Sequence, residues 1–509
     1  MRWRGFIPAI GLLLLVSCGG KEPVVEPTVP AIRLELQQAG AFQARFSISS
    51  LYAARIFYRL EEGGLSVREA TVETTGSGIA QTSLLVQELT PLTSYTLCAR
   101  GMGPEGEEGP EERLSFATVK GPDGLYPWEK ARSGAPSFAD LSLITQGWHN
   151  PSPPAWTAER FASHVAFDGK WLFDAFLCLD GFERERGLSY SISNTRPSAD
   201  KAAWETLLDA WLGPEGSLVA LSEAISKASQ SLGRPPRPRY VVMALPDPIR
   251  FQRFSDKHSS TTYWGELDGR SLDFSVVEDQ QAACRWYMDQ CRARFQALGL
   301  QGLELAGFYI LSEELHLSPG FYRQAGKAST AEDTWNWEYK GWEEIIPYLS
   351  SYAHACNEGL WWIPYHLAPG YTVWKELGFD GVFMQPNYYW DHDQVSHPLS
   401  TTVKALQGYR MGMELEFEYS LVASVMADGR SAPDGDGAPT FFAGDIPLLR
   451  NRVREYMEAY RGSGLYGVLP VAVYSGTDAW HQLAGSSDPG DKEMFREICT
   501  FIQDSPLKL

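Results

Sequence analysis

The feature that most restricts the fold is a rhythm in the long C-terminal part of the chain. Apolar runs fall at 143–148, 170–180, 239–246, 305–311, 360–366, 381–386, 410–419 and 465–474. Between them lie longer stretches, with helical periodicity clearest at 204–211, 218–231, 282–298, 342–356 and 446–460. Near-continuous apolar strands are strands covered on both faces, and their alternation with helices makes a parallel sheet. Eight such strands over 140–509 predict a (β/α)8 TIM-like barrel with insertions. A doubly wound open sheet is the alternative, but the chain carries neither an early GxGxxG turn nor a P-loop.

In a barrel of this kind, chemistry sits at the C-terminal ends of the strands. Reading those ends gives Trp148 and His149 after the first run, Asp180 after the second and Asp247 after the third. Glu313 and Glu314 follow the fourth, and Tyr365 and His366 the fifth. Gln385, Asn387, Tyr388, Tyr389 and Trp390 follow the sixth, and Tyr474 ends the eighth. The seventh run contains Glu414-Leu415-Glu416-Phe417-Glu418. Side chains alternate along a strand, so its three carboxylates share one face. With Leu415 and Phe417 turned to the helices, the glutamates face the barrel axis. Acids there are costly unless paired or used.

Glycoside hydrolysis needs two carboxyl groups, one protonated and one charged. Mutual repulsion and partial burial push two such pKa values apart, which allows both roles at one pH. Glu313 or Glu314 is expected as one partner, and Glu416 or Glu418 as the other. Glu416, nearer the middle of its strand, is the preferred nucleophile or base. The arrangement resembles retaining glycosidase barrels, which place the acid/base after strand four and the nucleophile on strand seven. Ser312 stands where those families usually have asparagine, so the contact to a sugar 2-hydroxyl is unassigned. Trp148, Trp362, Tyr365, Tyr388, Tyr389 and Trp390 are expected to stack on sugar rings. His149, Asp180, Asp247, His366, Gln385 and Asn387 are expected to bond hydroxyls, with Glu414 and Tyr474 also binding substrate. No GxSxG elbow is present. No His/Cys/Asp cluster has metal-ligand spacing, although the loop Trp390-Asp391-His392-Asp393 has the residue types for a cation. Neither a metal nor a cofactor is expected.

The N-terminal part reads differently. Met1-Arg2-Trp3-Arg4 is basic, and the apolar run from Phe6 to Val16 leads into Leu15-Val16-Ser17-Cys18. At about 11 residues the run is too short to span a bilayer, which takes roughly 20. The pattern is that of a signal peptide over 1–17, and Leu-Val-Ser-Cys resembles a bacterial lipobox, so Cys18 is expected to carry lipid. No aspartate follows the cysteine. The expected location is therefore the outer membrane, at the cell surface or facing the periplasm. Residues 18–30 are Pro-, Val- and Glu-rich and read as a tether.

From 31 to 119 short alternating strands are broken by glycine and proline. The stretch Leu89-Thr90-Pro91-Leu92-Thr93-Ser94-Tyr95-Thr96-Leu97 resembles the fibronectin type III signature, in which the tyrosine closes a corner between strands. An all-β sandwich without catalytic role is expected here, with a linker over 120–139.

The net charge of −19, with 63 acidic residues against 44 basic, excludes nucleic acid as a general partner. The 17 Trp and 23 Tyr residues suit a sugar cleft. The remaining six cysteines lack CxxC spacing and read as buried thiols.

Gly307-Phe308-Tyr309 leading to Glu313-Glu314, Gln385-Pro386-Asn387-Tyr388 and Gly412-Met413-Glu414-Leu415-Glu416-Phe417 are similar to the domain-of-unknown-function 4855 family of secreted bacterial proteins. The resemblance implies a barrel-like, often lipid-anchored protein of carbohydrate-using bacteria and no particular activity. The expected function is a lipid-anchored glycoside hydrolase acting on a poly- or oligosaccharide beside other glycan-utilisation proteins. The alternatives are a non-catalytic glycan-binding lipoprotein and a structural envelope protein.

Overall fold

The structure, a computed structural model, describes residues 29–39, 44–74, 79–86, 89–90, 93–118, 138–146, 155–191, 197–235, 238–248, 263–337, 341–390, 397–427, 441–476 and 478–508. Cys18, expected to carry lipid, and the run 147–154 lie outside them. The chain divides into two compact units, Met1–Val119 and Lys120–Leu509.

The first unit is a sandwich of two antiparallel sheets. One has the order β1 (Ala31–Ala39), β2 (Ala44–Leu51), β5 (Ile79–Val86). The other runs β4 (Leu65–Glu73), β3 (Arg55–Glu62), β6 (Ser94–Met102), β7 (Glu112–Ala117). Alternation buries Phe46 and Ile48 from one sheet against Ile56, Leu60 and Leu97 from the other. Gly63 and Gly64 join β3 to β4 with φ of 58° and 84°, the left-handed pair that a tight hairpin requires. The Tyr95 hydroxyl accepts the Thr90 amide at 2.9 Å, which ties the approach to β6 against its own first residues.

The second unit is a closed parallel barrel. Its strands are β8 (Asp140–Thr145), β11 (Ala175–Leu179), β12 (Arg239–Leu245), β15 (Leu303–Ile310), β16 (Gly359–Trp362), β17 (Gly381–Met384), β18 (Gly412–Glu416) and β19 (Val471–Tyr474), with β19 closing on β8. Two hairpins lie outside it, β9 (Ala166–Phe167) with β10 (Lys170–Trp171), and β13 (Tyr263–Leu267) with β14 (Arg270–Asp273). All eight expected runs overlap a barrel strand, and the five expected helices form at Lys201–Leu212, Ser217–Leu232, Val277–Leu298, Trp342–Ala355 and Ile446–Gly462.

Three runs of ten or eleven residues hold strands of only four or five. Lys170 and Trp171 turn back into a hairpin before β11 begins. β18 stops at Glu416, so Glu418 lies beyond it, and Leu465 stands six residues before the start of β19, ahead of the isolated bridge between Tyr466 and Leu469. Burial alone makes a run apolar, and only ladder pairing makes it a strand. In β15, Gly307 has φ of 145°, and a Cβ there would stand 2.1 Å from the Gly359 carbonyl oxygen. Glycine at that position lets β15 and β16 approach across the shift in register with β12.

The N-terminal ends of the strands are closed by a buried ion cluster. Arg239 pairs with Asp174, whose amide donates to Asp140 Oδ1 at 2.8 Å. Lys508 Nζ stands 2.7 Å from Asp140 Oδ2 and 3.4 Å from Asp174 Oδ1. Burial pushes the Asp140 carboxyl up to about 6 despite the Lys508 charge. A carboxyl raised in this way costs stability above its folded pKa and is relieved as the pH falls below it. Replacing Lys508 by alanine is expected to cost about 3 kcal/mol at pH 8, because an uncompensated charge stays buried. Denaturant unfolding should show that deficit shrinking at pH 5, where Asp140 takes up a proton. An equal deficit at both values would mean that Lys508 acts only by packing.

Candidate active site

The opposite end of the barrel opens into a cleft of about 470 Å³, within the range of small-molecule sites. Its charged wall comes from two strands. Glu313 and Glu314 follow β15, and Glu414 and Glu416 belong to β18. Tyr309, Tyr365, Gln385, Trp390 and Tyr474 also line it, with Ser191 and Ser312.

Strand alternation puts Glu414 and Glu416 on the inner face while Phe417 packs outward, its ring 6.4 Å from that of Trp480. Both glutamates are almost fully buried. Their surroundings differ sharply. Glu416 Oε2 accepts the Asn387 amide at 2.8 Å and the Tyr456 hydroxyl at 2.6 Å. Asn387 turns its amide there from a left-handed backbone with φ of 55°. Tyr456 is itself held by the Tyr389 amide at 2.8 Å. Glu414 Oε1, in contrast, is buried with no hydrogen-bond partner.

Burial is the main force on both carboxyls. It pushes Glu416 up to about 8, against its two hydrogen bonds and with the Glu313 charge adding to it. Glu414 goes well above the ordinary range, through burial first, then the charges of Glu416 and Glu313. Two acids this close titrate as a pair.

Glu313 is exposed to the cleft, although protein atoms crowd it on the other sides. It accepts the Gln385 side-chain amide at 3.0 Å. Its carboxyl is raised by that crowding and by the Glu314 charge, with the Gln385 bond opposing. Glu314 accepts the Tyr365 hydroxyl at 3.2 Å, and His316 Nε2 stands 3.1 Å from its other oxygen.

The turn that presents these two residues is strapped through Ser312. Its amide donates to Asp247 at 3.2 Å, its carbonyl accepts the Trp362 indole at 2.7 Å, and its hydroxyl donates to the Glu314 carbonyl at 2.9 Å. Asp247 and Trp362, expected to meet sugar, are therefore occupied in positioning Glu313 and Glu314. Ser312, where asparagine was the pattern, is the clasp of that turn.

Other expected residues also point elsewhere. Asp180 is buried, accepts the Gln146 amide at 3.0 Å and the Trp211 indole at 2.8 Å, and is pushed up to about 7 by burial. The His366 ring bonds Thr402 at 3.0 Å and packs on His397. The Tyr388 hydroxyl donates to Glu455 at 2.6 Å, and buried Tyr389 bonds Ser420 at 2.7 Å. Glu418 accepts the Tyr474 hydroxyl at 3.2 Å just beyond the strand and does not border the cleft. Asn387 contributes its backbone amide. Trp148, His149 and the loop Asp391-His392-Asp393 lie outside the described residues.

Tyr456 and His316 were not singled out from sequence, and Tyr309 entered only as part of a family motif. Tyr456 and Tyr460 lie four apart on the helix Ile446–Gly462, a spacing that puts both on its buried face. Nothing in the sequence says that Tyr456 reaches strand seven. Among the described residues no group of His, Cys, Asp and Glu is arranged to hold a metal ion, and no helix is long and apolar enough to cross a membrane. Six cysteines are free thiols, five of them buried.

The model of a family described as domain of unknown function DUF4855 matches residues 140–431. No curated protein matches the chain. Among solved structures, a Bacteroides ovatus GH5 xyloglucanase in complex with a XXXG heptasaccharide is 11% identical, with a TM-score of 0.37, over 92% of this chain and 100% of that one. A Bifidobacterium dentium β-glucuronidase complexed with coumarin-3-O-glucuronide is 9% identical, with a TM-score of 0.29, over 89% of this chain and 61% of that one. Scores this low carry no argument, and the fold rests on the strand order itself.

An acid whose folded pKa is raised holds a proton that the unfolded chain has lost, so stability falls as the pH climbs above the ordinary carboxylate range. Glu414→Gln removes that proton linkage at the position without a partner. At pH 8 the variant should be more stable than the native protein by roughly 1–3 kcal/mol, and the gain should fade by pH 5. Thermal unfolding at the two pH values measures it, and a variant less stable at pH 8 would indicate an ionised, well-paired Glu414.

Proposed function

The chain belongs to the DUF4855 family, whose description assigns no chemistry, and from the cleft itself we propose a glycoside hydrolase that works with two carboxyl groups and no cofactor. One observation carries the reading: Glu313 and Glu416 line one cleft from the fourth and seventh strands, the second of them deeply buried. A cleft that only binds neutral sugars has little use for buried acids, whereas hydrolysis of a glycosidic bond needs two carboxyls held in different states.

The resting distribution follows from the surroundings. Glu416 Oε2 is occupied by two donors, which leaves Oε1 to carry hydrogen, and the raised pKa keeps that hydrogen on at neutral pH. Glu313, steadied by Gln385 and open to solvent, takes the negative charge. Glu416 then gives its proton to the departing glycosidic oxygen. Glu313 either attacks the anomeric carbon or draws the proton from an attacking water. Trp390 and Tyr365 supply ring faces for the sugar. The opposite order, with Glu313 as acid, is favoured by one fact: its exposure puts it nearer the side from which a leaving group departs.

The reading extends beyond the barrel. Cys18 carries the lipid and holds the protein at the outer membrane, at the cell surface or facing the periplasm. The first unit is a fibronectin type III-like spacer, in support of which stand its three- and four-stranded sheets and the Tyr95 corner bond. Other glycan-utilisation proteins are its expected neighbours.

Reducing-sugar release across a polysaccharide panel tests the activity. Glu416→Gln should lower turnover about 10²–10⁴-fold on natural linkages and far less on dinitrophenyl glycosides, whose leaving group needs no proton. Glu313→Gln should lose both, with azide restoring part. The reverse pattern would exchange the two roles. Native kcat/KM should fall as the pH rises through about 8, where Glu416 loses its proton. Measurable glycan binding with no release from any substrate would identify a non-catalytic glycan-binding protein. For the anchor, Cys18→Ser should move the protein from the membrane to the soluble fraction, and a variant that stays membrane-bound would contradict it.

A further inference from the structure

The cleft holds more carboxylate than its chemistry uses. Two-carboxyl hydrolysis accounts for Glu313 and Glu416, and Glu314 is engaged by Tyr365 and His316. Glu414 is left over. It borders the cleft, is 2% exposed, and its Oε1 has no hydrogen-bond partner. The charged and titratable groups around it are Glu416 on its own strand, Glu313 and Tyr309 from β15, and Tyr456 from the helix Ile446–Gly462. None of these is a cation. Among the described residues lining the cleft there is no lysine, arginine or histidine at all.

A buried carboxyl without a protein partner is costly to keep; Glu414 limits that cost by holding a proton, and the partner the fold does not supply would come from a ligand. A neutral hydroxyl would satisfy one lone pair, leave the strand-seven carboxyls protonated and bring no cation to a cleft that has none. An ammonium group supplies both the donors and the charge, and in a site of low dielectric that attraction is much stronger than in water. A uronic acid or sulfated sugar would bring a like charge to the same place and be repelled.

We propose that the cleft takes a glycan bearing free amino groups, a de-N-acetylated hexosamine polymer or oligomer, with one sugar ammonium seated against the Glu414 carboxyl. The proposal rests on the glycosidase reading and supplies its substrate class. Seating the ammonium draws the carboxyl pair towards its ionised form, so binding expels a proton that a neutral ligand would leave in place.

Titration calorimetry on the full chain carrying Glu313→Gln, which blocks turnover, provides the test. The probes are glucosamine and galactosamine oligosaccharides, each fully de-N-acetylated or fully N-acetylated, with xyloglucan and polygalacturonate oligosaccharides beside them. In at least one hexosamine series the amino form should bind about tenfold or more tighter than its acetylated twin. Titration at pH 7 in two buffers of different ionisation enthalpy should show release of about one proton per site. Adding Glu414→Gln, or Glu414→Met as a second variant, should bring the two forms within about threefold and abolish the proton release. Equal binding of both forms in both series, stronger binding of a neutral or anionic probe, or a preference that survives both Glu414 variants would overturn the proposal. Hydrolysis by the native protein separates the two layers. Release from a neutral glycan without amine preference removes this inference and leaves the glycosidase standing. Amine-selective binding with no hydrolysis of the bound oligosaccharide removes the glycosidase reading and keeps the ammonium site.

Discussion

Two glutamates on the inner face of one barrel strand set the terms for the rest of the C-terminal unit. Glu414 and Glu416 sit where water is nearly excluded, and a carboxylate there loses most of the hydration that stabilises its charge. The fold offers two answers. For Glu416 it builds a socket: an amide turned inward by the left-handed Asn387 and a tyrosine delivered from the helix Ile446–Gly462. For Glu414 it builds nothing, and the group keeps a proton instead. Unequal treatment of two neighbouring acids is how one site comes to hold both a donor of protons and a reserve of charge.

The barrel can carry this load because its two ends are specialised. At the N-terminal end, Asp140, Asp174, Arg239 and Lys508 compensate one another inside the wall. At the C-terminal end the acids outnumber their partners and the wall opens. The turn after β15 is fixed at amide, carbonyl and hydroxyl of Ser312, so Glu313 and Glu314 are presented by a constrained backbone. Side chains that hold a catalytic constellation this way contribute by geometry, and small losses of placement are expensive in rate.

The barrel was legible because both-face burial writes apolar runs into sequence, and all eight runs overlap a strand. The carboxylate wall was legible too, since period-two spacing puts Glu414 and Glu416 on one face whatever surrounds them. Strand ends were less readable. Apolar packing carries on past Glu416 through Phe417, which made the seventh strand look long enough to include Glu418. Partners were least readable of all. Asp247 and Trp362 reach Ser312 across 65 and 50 residues, and Tyr456 reaches Glu416 across 40. No periodicity encodes such contacts. They also explain why a polar residue at a strand end so often turned out to hold a neighbour in place: a turn that must present two acids needs donors and acceptors of its own.

Infrared spectroscopy tests the central claim, that strand seven keeps a protonated carboxyl at neutral pH, because a protonated carboxyl has a carbonyl stretch well separated from that of a carboxylate. The native protein minus Glu416→Gln at pH 7 should show a positive band from the Glu416 acid. That band should disappear as the pH is taken through about 8. A second band, from the Glu414 acid, should be missing from Glu414→Gln. A native spectrum at pH 7 with neither band would contradict the account, because it would mean that both carboxyls are ionised and that the barrel stabilises their charges by means other than those described.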